Sequence, residues 1–520
     1  MKKLTSSVYS FEKLVNEGML YVDKTEYIWN LIQNSGAYFL ARPRRFGKSL
    51  TVSTLEAIFQ GRKELFKGLA IYDKPYDWTP YPVIHLDLNG FNFSSLADLN
   101  DSLRELLSEC AELHGVELES GSPVIMFRRL LTAINRANGK FVILLDEYDK
   151  PILNSLGQPY ASDILSELKS FYSVIKAFDK FEHFVFITGA SKFAHVSLFS
   201  DLNNLTDISM RPDYATMFGY TQCELETYFA EYIDAATRKL GMEREAFLEK
   251  LKKWYDGYCF EANTEAVYSP VSVAKFFSSD NFKFDYYWSD TGTPSFLIDY
   301  CKNNSFDIEG ALANPVPSAT FGSFEINRIN PLALFLQAGY LTIRDSYEEL
   351  GHTFYRLKFA NIDVQSSFEE KLLDAYTELP EGTSSQFSVN IVKTLKNGDV
   401  DGAMRLLKSF YAGFAYKFQE KSEHYYQAIF FAIFRSLGFS ASAESPTSDG
   451  SIDAVVEIDD WIYVFELKLD VSAQKALEQI EEKDYCRKYI MTGKRIMLVG
   501  MNFNSRTRQL VEWTAREFER

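Results

Sequence analysis

The stretch Ala41-Arg-Pro-Arg-Arg-Phe-Gly-Lys-Ser49 decides how this chain is read. It follows an apolar run, Ala37-Tyr-Phe-Leu-Ala41, and precedes a helix-compatible run from Leu50 to Phe59. A strand, a basic turn and a helix N-terminus form a phosphate cradle, because backbone N–H groups and the helix dipole converge on one anion. In that frame Gly47 belongs to the cradle, Lys48 reaches the β- and γ-phosphates of a nucleotide, and Ser49 ligates Mg²⁺. Arg42 stands where the pattern GxxxxGK[ST] has its first Gly. A Cβ resists positive φ, so this loop must close differently. Arg44 and Arg45 carry planar donors suited to phosphate. They could instead pair with the acidic residues from Asp146 to Asp149 and only order the loop. Together Arg42, Arg44, Arg45 and Lys48 read as a local basic island suited to nucleotide phosphates.

The second half of the pattern is Lys140-Phe-Val-Ile-Leu-Leu-Asp-Glu-Tyr-Asp149, an apolar strand ending in carboxylates. This is a Walker B arrangement. Asp146 would hold the Mg²⁺ shell, and Glu147 would polarise the attacking water. Another strand, Phe184 to Ile187, ends in Thr188-Gly-Ala-Ser191, where Ser191 or Thr188 could sense the γ-phosphate. With Val83 to Leu88 as a further strand, and amphipathic stretches at Leu99–Leu113 and Pro123–Ala137, the pattern predicts a parallel sheet covered on both faces. Arg211 reads as a surface arginine rather than an arginine finger.

The whole chain has 520 residues, which predicts about three domains. Hydrophobic residues make up 46% and charged residues 24%, which excludes a mostly disordered chain. The net charge of −16 excludes a whole-surface basic coat for nucleic acid and leaves room for a local basic site. The five cysteines are scattered, with no CxxC pair, so neither a disulfide framework nor a zinc knuckle is expected and a reducing cytoplasm is. The start of the chain does not read as a signal peptide, and no run reaches the length of a membrane span. His85 and His195 read as isolated, His424 as part of a helix face, and no Ser-His-Asp ordering stands out.

Residues 221–310 read as mostly helical. A helix at Pro331–Tyr340, a hairpin made of Leu341–Arg344 and Thr353–Leu357, and a helix at Asp363–Tyr376 suggest a winged-helix-like unit. Pro380-Glu-Gly-Thr-Ser-Ser385 reads as a linker. Beyond it come a helix (Glu423–Leu437), strands at Ile452–Ile458 and Trp461–Leu467 joined by a tight turn at Asp459-Asp460, a polar helix (Ser472–Tyr485) and a strand (Arg495–Val499). In Gly450-Ser-Ile-Asp-Ala-Val-Val-Glu457 and Phe465-Glu-Leu-Lys-Leu469, Asp453 lies on one strand of a hairpin. Glu466 and Lys468, two apart on the other strand, share a face. Carboxylates from both strands can chelate Mg²⁺ or Mn²⁺, and Lys468 would sit near the nucleophile or the phosphorus.

Six fragments together resemble the bacterial AAA-ATPase-like family, whose members commonly carry a C-terminal nuclease-fold domain. They are Arg42-Pro-Arg-Arg-Phe-Gly-Lys-Ser-Leu50, Tyr21-Val-Asp-Lys-Thr25, Asp146 to Pro151, Leu202-Asn-Asn-Leu205, Phe218-Gly-Tyr-Thr221 and Trp254-Tyr-Asp-Gly-Tyr258. The resemblance implies a P-loop of the additional-strand, catalytic-glutamate class, and the missing first Gly is part of the family's own pattern. Asp23 and Lys24 match a family motif; the plain reading is that they cap a helix starting near Thr25. The C-terminal part resembles the PD-(D/E)xK nuclease superfamily. Asp453, Glu466 and Lys468 match its motif, Glu423 an acidic position on the preceding helix, and Gln479 and Tyr485 positions on the following helix. Ile452 replaces the Pro of the superfamily's name.

The expected fold class is therefore α/β: a P-loop parallel-sheet domain over 1–220, a helical and winged-helix-like middle over 221–380, and a restriction-endonuclease-like domain over 386–520. The expected function is an ATPase coupled to a Mg²⁺-dependent DNA or RNA phosphodiesterase, with defence against mobile elements as an analogy. A homo-oligomer or a protein partner would complete a nucleic-acid groove. The alternative is an ATP-switched binding or signalling protein whose nuclease fold only docks.

Overall fold

The computed structural model describes the chain except residues 34, 92, 193–197, 200–203, 289–296, 299, 302–307, 323–329, 378–382, 413–428, 435–440, 443–453, 484–486, 508 and 519–520. The expectations for His195, Glu423, His424, Ile452, Asp453 and Tyr485 lie outside the described residues. The chain divides into two compact units. One comprises Met1–Tyr287 and Pro315–Asn361, and the other comprises Trp288–Asn314 and Ile362–Arg520.

The first unit is built on five parallel strands: β1 (Gly36–Ala41), β2 (Val83–Asp87), β3 (Phe141–Asp146), β4 (Glu182–Gly189) and β5 (Leu205–Asp207). Their order is β2-β3-β4-β1-β5. The four strands expected from apolar runs are all present, because each is deeply buried. Every residue of β3 is buried, as expected for a strand covered on both faces. The helix that follows β1, Lys48–Phe59, packs on β2, β3 and β4. Leu96–Leu113 and Pro123–Asn138, each capped by a serine, form the amphipathic helices read from the sequence.

The helical segment of the same unit closes around Leu225, Phe229, Ile233, Phe247, Leu251 and Phe276. Its first helix, Gln222–Tyr228, starts in a capping box between Thr221 and Glu224. Further on, the helix Pro331–Gln337 leads into a hairpin of β7 (Leu341–Glu349) and β8 (His352–Phe359). A short strand, β6 (Val316–Pro317), joins it in the order β6-β8-β7. Asn361 is the last residue of this unit, and the helix Ile362–Thr377 belongs to the other.

The second unit contains a mixed sheet in the order β13-β12-β11-β10-β9. Its strands are β9 (Ala441–Ser442), β10 (Ala454–Ile458), β11 (Trp461–Leu469), β12 (Arg495–Asn504) and β13 (Gln509–Glu517). Asp459-Asp460 is the two-residue turn of the β10–β11 hairpin, with Asp459 at φ 48. β11 and β12 are parallel and joined through the helix Ala473–Glu482, which Ser472 caps. Two sequence readings need correction. The stretch Thr383–Ser385, read as linker, opens the helix Thr383–Lys396. Ser and Thr clusters mark helix starts as well as turns, and that ambiguity was resolved the wrong way. β13 was not anticipated at all; its Gln-Leu-Val-Glu-Trp-Thr-Ala-Arg-Glu pattern is that of a half-exposed edge strand, without an apolar run.

Candidate functional sites

In the first unit the C-terminal ends of β1, β3 and β4 meet at one place. β4 lies between β1 and β3, so the cradle strand and the Walker B strand are separated by an additional strand. Ala41 is in register with Gly189, and Asp146 with Asp87. Ligands in open parallel sheets bind beyond the strands' carboxyl ends, and the cradle is there. Gly47 caps the helix at φ 95, while Arg45 takes the other left-handed position of the loop at φ 66. Lys48 is buried, with Nζ 3.4 Å from Glu147 Oε1 and 3.2 Å from Pro43 O. The Asp146 carboxylate accepts from the Glu147 N–H at 2.9 Å. Burial, then the charge of Glu147, pushes Asp146 up to about 6.

A cleft of about 370 Å³ opens over this cradle. Arg44, Arg45, Lys48, Ser49 and Glu147 line it, together with Tyr21, Val22, Phe218, Tyr220, Pro270 and Val271. Arg44 and Arg45 line the cleft and make no ion pair among the described residues. Asn89 and Lys150 also line the cleft and are hydrogen-bonded to each other. Sequence reasoning passed over both, although Lys150 is the lysine of the Asp146–Pro151 motif.

Arg42 is not part of the phosphate-facing island. Its guanidinium is buried and donates to the carbonyls of Ala41 (2.9 Å), Ser209 (2.5 Å) and Tyr214 (3.1 Å). It also lies 4.2 Å over the ring of Phe260. Where other P-loops use a glycine, this one is held from behind by an arginine. Phe46 adds a second tie, edge-on to Tyr258 at 4.7 Å and to Phe260 at 5.3 Å. The Tyr258 of the Trp254–Tyr258 motif thus braces the loop.

The Asp23-Lys24 motif also gains a function. Asp23 Oδ1 accepts from the N–H and hydroxyl of Thr25, and Oδ2 accepts from the Ala70 N–H. Lys24 does not cap. Its Nζ binds Glu224 at 2.6 Å and the Thr216 carbonyl at 2.8 Å, tying the residue before the helix Thr25–Ile32 to the capping box. His85 is not isolated either: Nδ1 is 3.0 Å from Glu56 Oε2. Arg211 is exposed and 3.5 Å from Asp213, as a surface arginine should be. Of the two sensor candidates, Ser191 donates its hydroxyl to Asp149 at 2.6 Å. Thr188 Oγ1 is buried without a partner among the described residues.

In the second unit Glu466 is fully buried on β11. Lys468 Nζ lies 2.8 Å from Glu466 Oε1, and Gln479 Nε2 donates to the same oxygen. Strand periodicity explains the first pairing. The second requires the helix Ala473–Glu482 to approach the sheet closely, and Gly500 permits this. Gly500 is in register with Glu466, and a Cβ there would lie 2.8 Å from the Leu477 nitrogen. Among the described residues no group of three or more His, Cys, Asp or Glu side chains is placed to hold a metal ion. Of the expected set Glu423, Asp453 and Glu466, only Glu466 is described.

Both sites can be set beside known proteins. Residues 6–199 match a family model described as "Predicted AAA-ATPase", and residues 421–513 match the PD-(D/E)XK nuclease superfamily. The chain belongs to the family of AAA-ATPase-like proteins that carry a PD-(D/E)XK nuclease superfamily domain toward the C-terminus. It is similar along its length to the "Uncharacterized protein in vnfD 5'region" of Azotobacter chroococcum mcd 1, 34% identical over 522 residues and covering 98% of each chain. Among solved structures, an Aeropyrum pernix ORC2 protein in ADPNP and ADP complexes aligns at 11% identity and a TM-score of 0.27, covering 81% of this chain and 85% of that one. No helix among the described residues is long and apolar enough to cross a membrane.

Proposed function

We propose that the chain binds and hydrolyses ATP in the cleft over Lys48, and that its C-terminal part is a Mg²⁺-dependent nucleic-acid phosphodiesterase controlled by nucleotide. The observation that carries the first half is the buried Lys48–Glu147 pair, 3.4 Å apart at the mouth of a loop of backbone donors. The ammonium and the carboxylate hold each other until phosphate arrives. Lys48 then turns to the phosphate oxygens, and Glu147 is left to orient and polarise water. Ser49 and Asp146 fit Mg²⁺: both are hard oxygen donors, and the buried carboxylate beside Glu147 needs positive charge. The ion would supply charge neutralisation at the phosphates. The aromatic lining residues Tyr21, Phe218 and Tyr220 suit a nucleobase.

For the C-terminal half, the support is the buried Glu466 with Lys468 and Gln479 on one of its oxygens. A carboxylate is the donor Mg²⁺ or Mn²⁺ prefers, and Glu423 and Asp453 are the proposed further ligands. Lys468 would stabilise charge on the phosphate. DNA or RNA is the proposed substrate, with a homo-oligomer or protein partner completing the groove. The pairing suits defence against mobile elements. A cytoplasmic setting is consistent with Cys110, Cys223, Cys259 and Cys301 forming no disulfide among the described residues.

The test uses the full chain. Lys48→Ala should abolish ATP hydrolysis and, with it, the nucleotide control of cleavage, while Lys468→Ala should abolish cleavage and spare hydrolysis. Unchanged turnover in Lys48→Ala overturns the ATPase assignment. No divalent-metal affinity and no cleavage of DNA or RNA by the wild type would make the nuclease fold a docking module.

A further inference from the structure

We infer that Asp149 is a positioning residue for hydrolysis: it locks the end of β4 to the turn that carries Glu147, and so aims that carboxylate across the cradle. This rests on the ATPase reading above. Asp149 is completely buried. Its Oδ1 accepts from the Ala190 N–H at 3.1 Å, and its Oδ2 from the Ser191 N–H at 2.8 Å and the Ser191 hydroxyl at 2.6 Å. The preceding residue repeats the connection. Tyr148 N–H donates to Thr188 O at 3.1 Å, and Tyr148 OH donates to Ser191 O at 3.0 Å. From behind, Tyr172 OH donates to Tyr148 O at 3.0 Å.

Glu147 sits between the end of β3 and this stitched segment, with φ at 54. A residue with a side chain in that conformation carries about 1–3 kcal/mol of strain and keeps it only when its surroundings enforce it. Here the enforcing groups are identifiable. On one side β3 fixes Asp146; on the other, Tyr148 and Asp149 are bonded to residues 188–191. The left-handed turn is what presents Glu147 to Lys48 instead of continuing the strand. Gly189 is part of the device: a Cβ there would lie 2.4 Å from Asp149 Oδ1 and 2.5 Å from the Tyr148 ring. Only glycine lets the carboxylate reach its two N–H donors.

A merely structural Asp149 would lose folding, nucleotide affinity and turnover together. A positioning Asp149 separates them, because the phosphate cradle, made by residues 44–49, does not depend on the stitch. The experiment measures, in the full chain, kcat for ATP, the affinity for a non-hydrolysable ATP analogue, and Tm. Asp149→Asn keeps the side-chain size but sets an NH₂ group where donors point. It should lower kcat by about 100-fold and hold analogue affinity within about threefold. Gly189→Ala retains the carboxylate but forces it away from its donors, and should give the same split. If the wild type hydrolyses ATP and both variants keep kcat within about twofold, the positioning role is overturned and the ATPase reading stands. Parallel loss of affinity, turnover and Tm in both variants also overturns it, in favour of a structural residue. A wild type that binds the analogue but never hydrolyses ATP overturns the ATPase reading, and this inference with it.

Discussion

Arg42 carries a positive charge out of water and gives it only carbonyl partners, which burial opposes strongly enough to bring its pKa down to about 9. What keeps it there is geometry: one planar group satisfies Ala41, Ser209 and Tyr214 at once and stacks on Phe260. Replacing it with the glycine of other P-loops should therefore harm this loop. Arg42→Gly is expected to destabilise the protein by about 2–4 kcal/mol and to weaken nucleotide binding, with Arg42→Lys intermediate; thermal melting and analogue titration would show it. Glu182, at the start of β4, offers a pH test. Burial, then Asp179, pushes it up to about 8. The folded state thus holds a proton that the unfolded chain releases at lower pH. The stability this contributes is complete below the ordinary carboxylate range and is lost as pH rises through about 8. Glu182→Gln, which mimics the protonated form, should raise Tm by a few degrees at about pH 9 and change it little at about pH 5. Lys48, Ser49, Asp146 and Glu147 were legible in the sequence because their chemistry is local to two short motifs. The contacts of Arg42 and Asp149 were not, because their partners come from Ser209, Tyr214, Ala190 and Ser191, far along the chain.

The elements differ in how much of themselves they reveal. β3 is buried throughout, β1, β2 and β4 are largely so, and all four read as apolar runs, whereas β13 is mostly exposed on an open edge and did not. The helix Ala473–Glu482 was visible from its polarity, but its seat was not. It reaches the sheet at Gly500, where a Cβ would meet the backbone of Ala473 and Leu477. Gly500→Ala should lift the helix, cost about 1–3 kcal/mol, and loosen the Gln479–Glu466 bond. Calorimetric titration with Mn²⁺ should then show weaker binding than the wild type, alongside a lower Tm. Equal Tm and equal metal affinity would show that the helix does not need that close approach.

At the scale of the molecule, two units with separate cores predict more than one unfolding transition. A non-hydrolysable ATP analogue with Mg²⁺ should raise only the transition of the unit that contains Lys48, by about 2.7 kcal/mol at a hundred times its Kd. Scanning calorimetry with and without the analogue checks this; a shift of both transitions alike would mean that the units unfold as one. The sequence suggested where the chemistry lies in each unit, from Lys48 to Glu147 and from Glu466 to Gln479. It did not suggest that residues 288–314 join the C-terminal unit, where the Trp288 N–H is held by the Asp363 carboxylate at 3.0 and 3.1 Å.

That interleaving bears on inheritance. Recombination between genes exchanges contiguous stretches, and neither unit of this chain is contiguous. A single breakpoint anywhere between residues 288 and 361 would leave a hybrid with part of one unit taken from a stranger. Viable descendants would keep the two units together, diverging by substitution rather than by shuffling, so that nucleotide site and nuclease fold travel as one heritable piece.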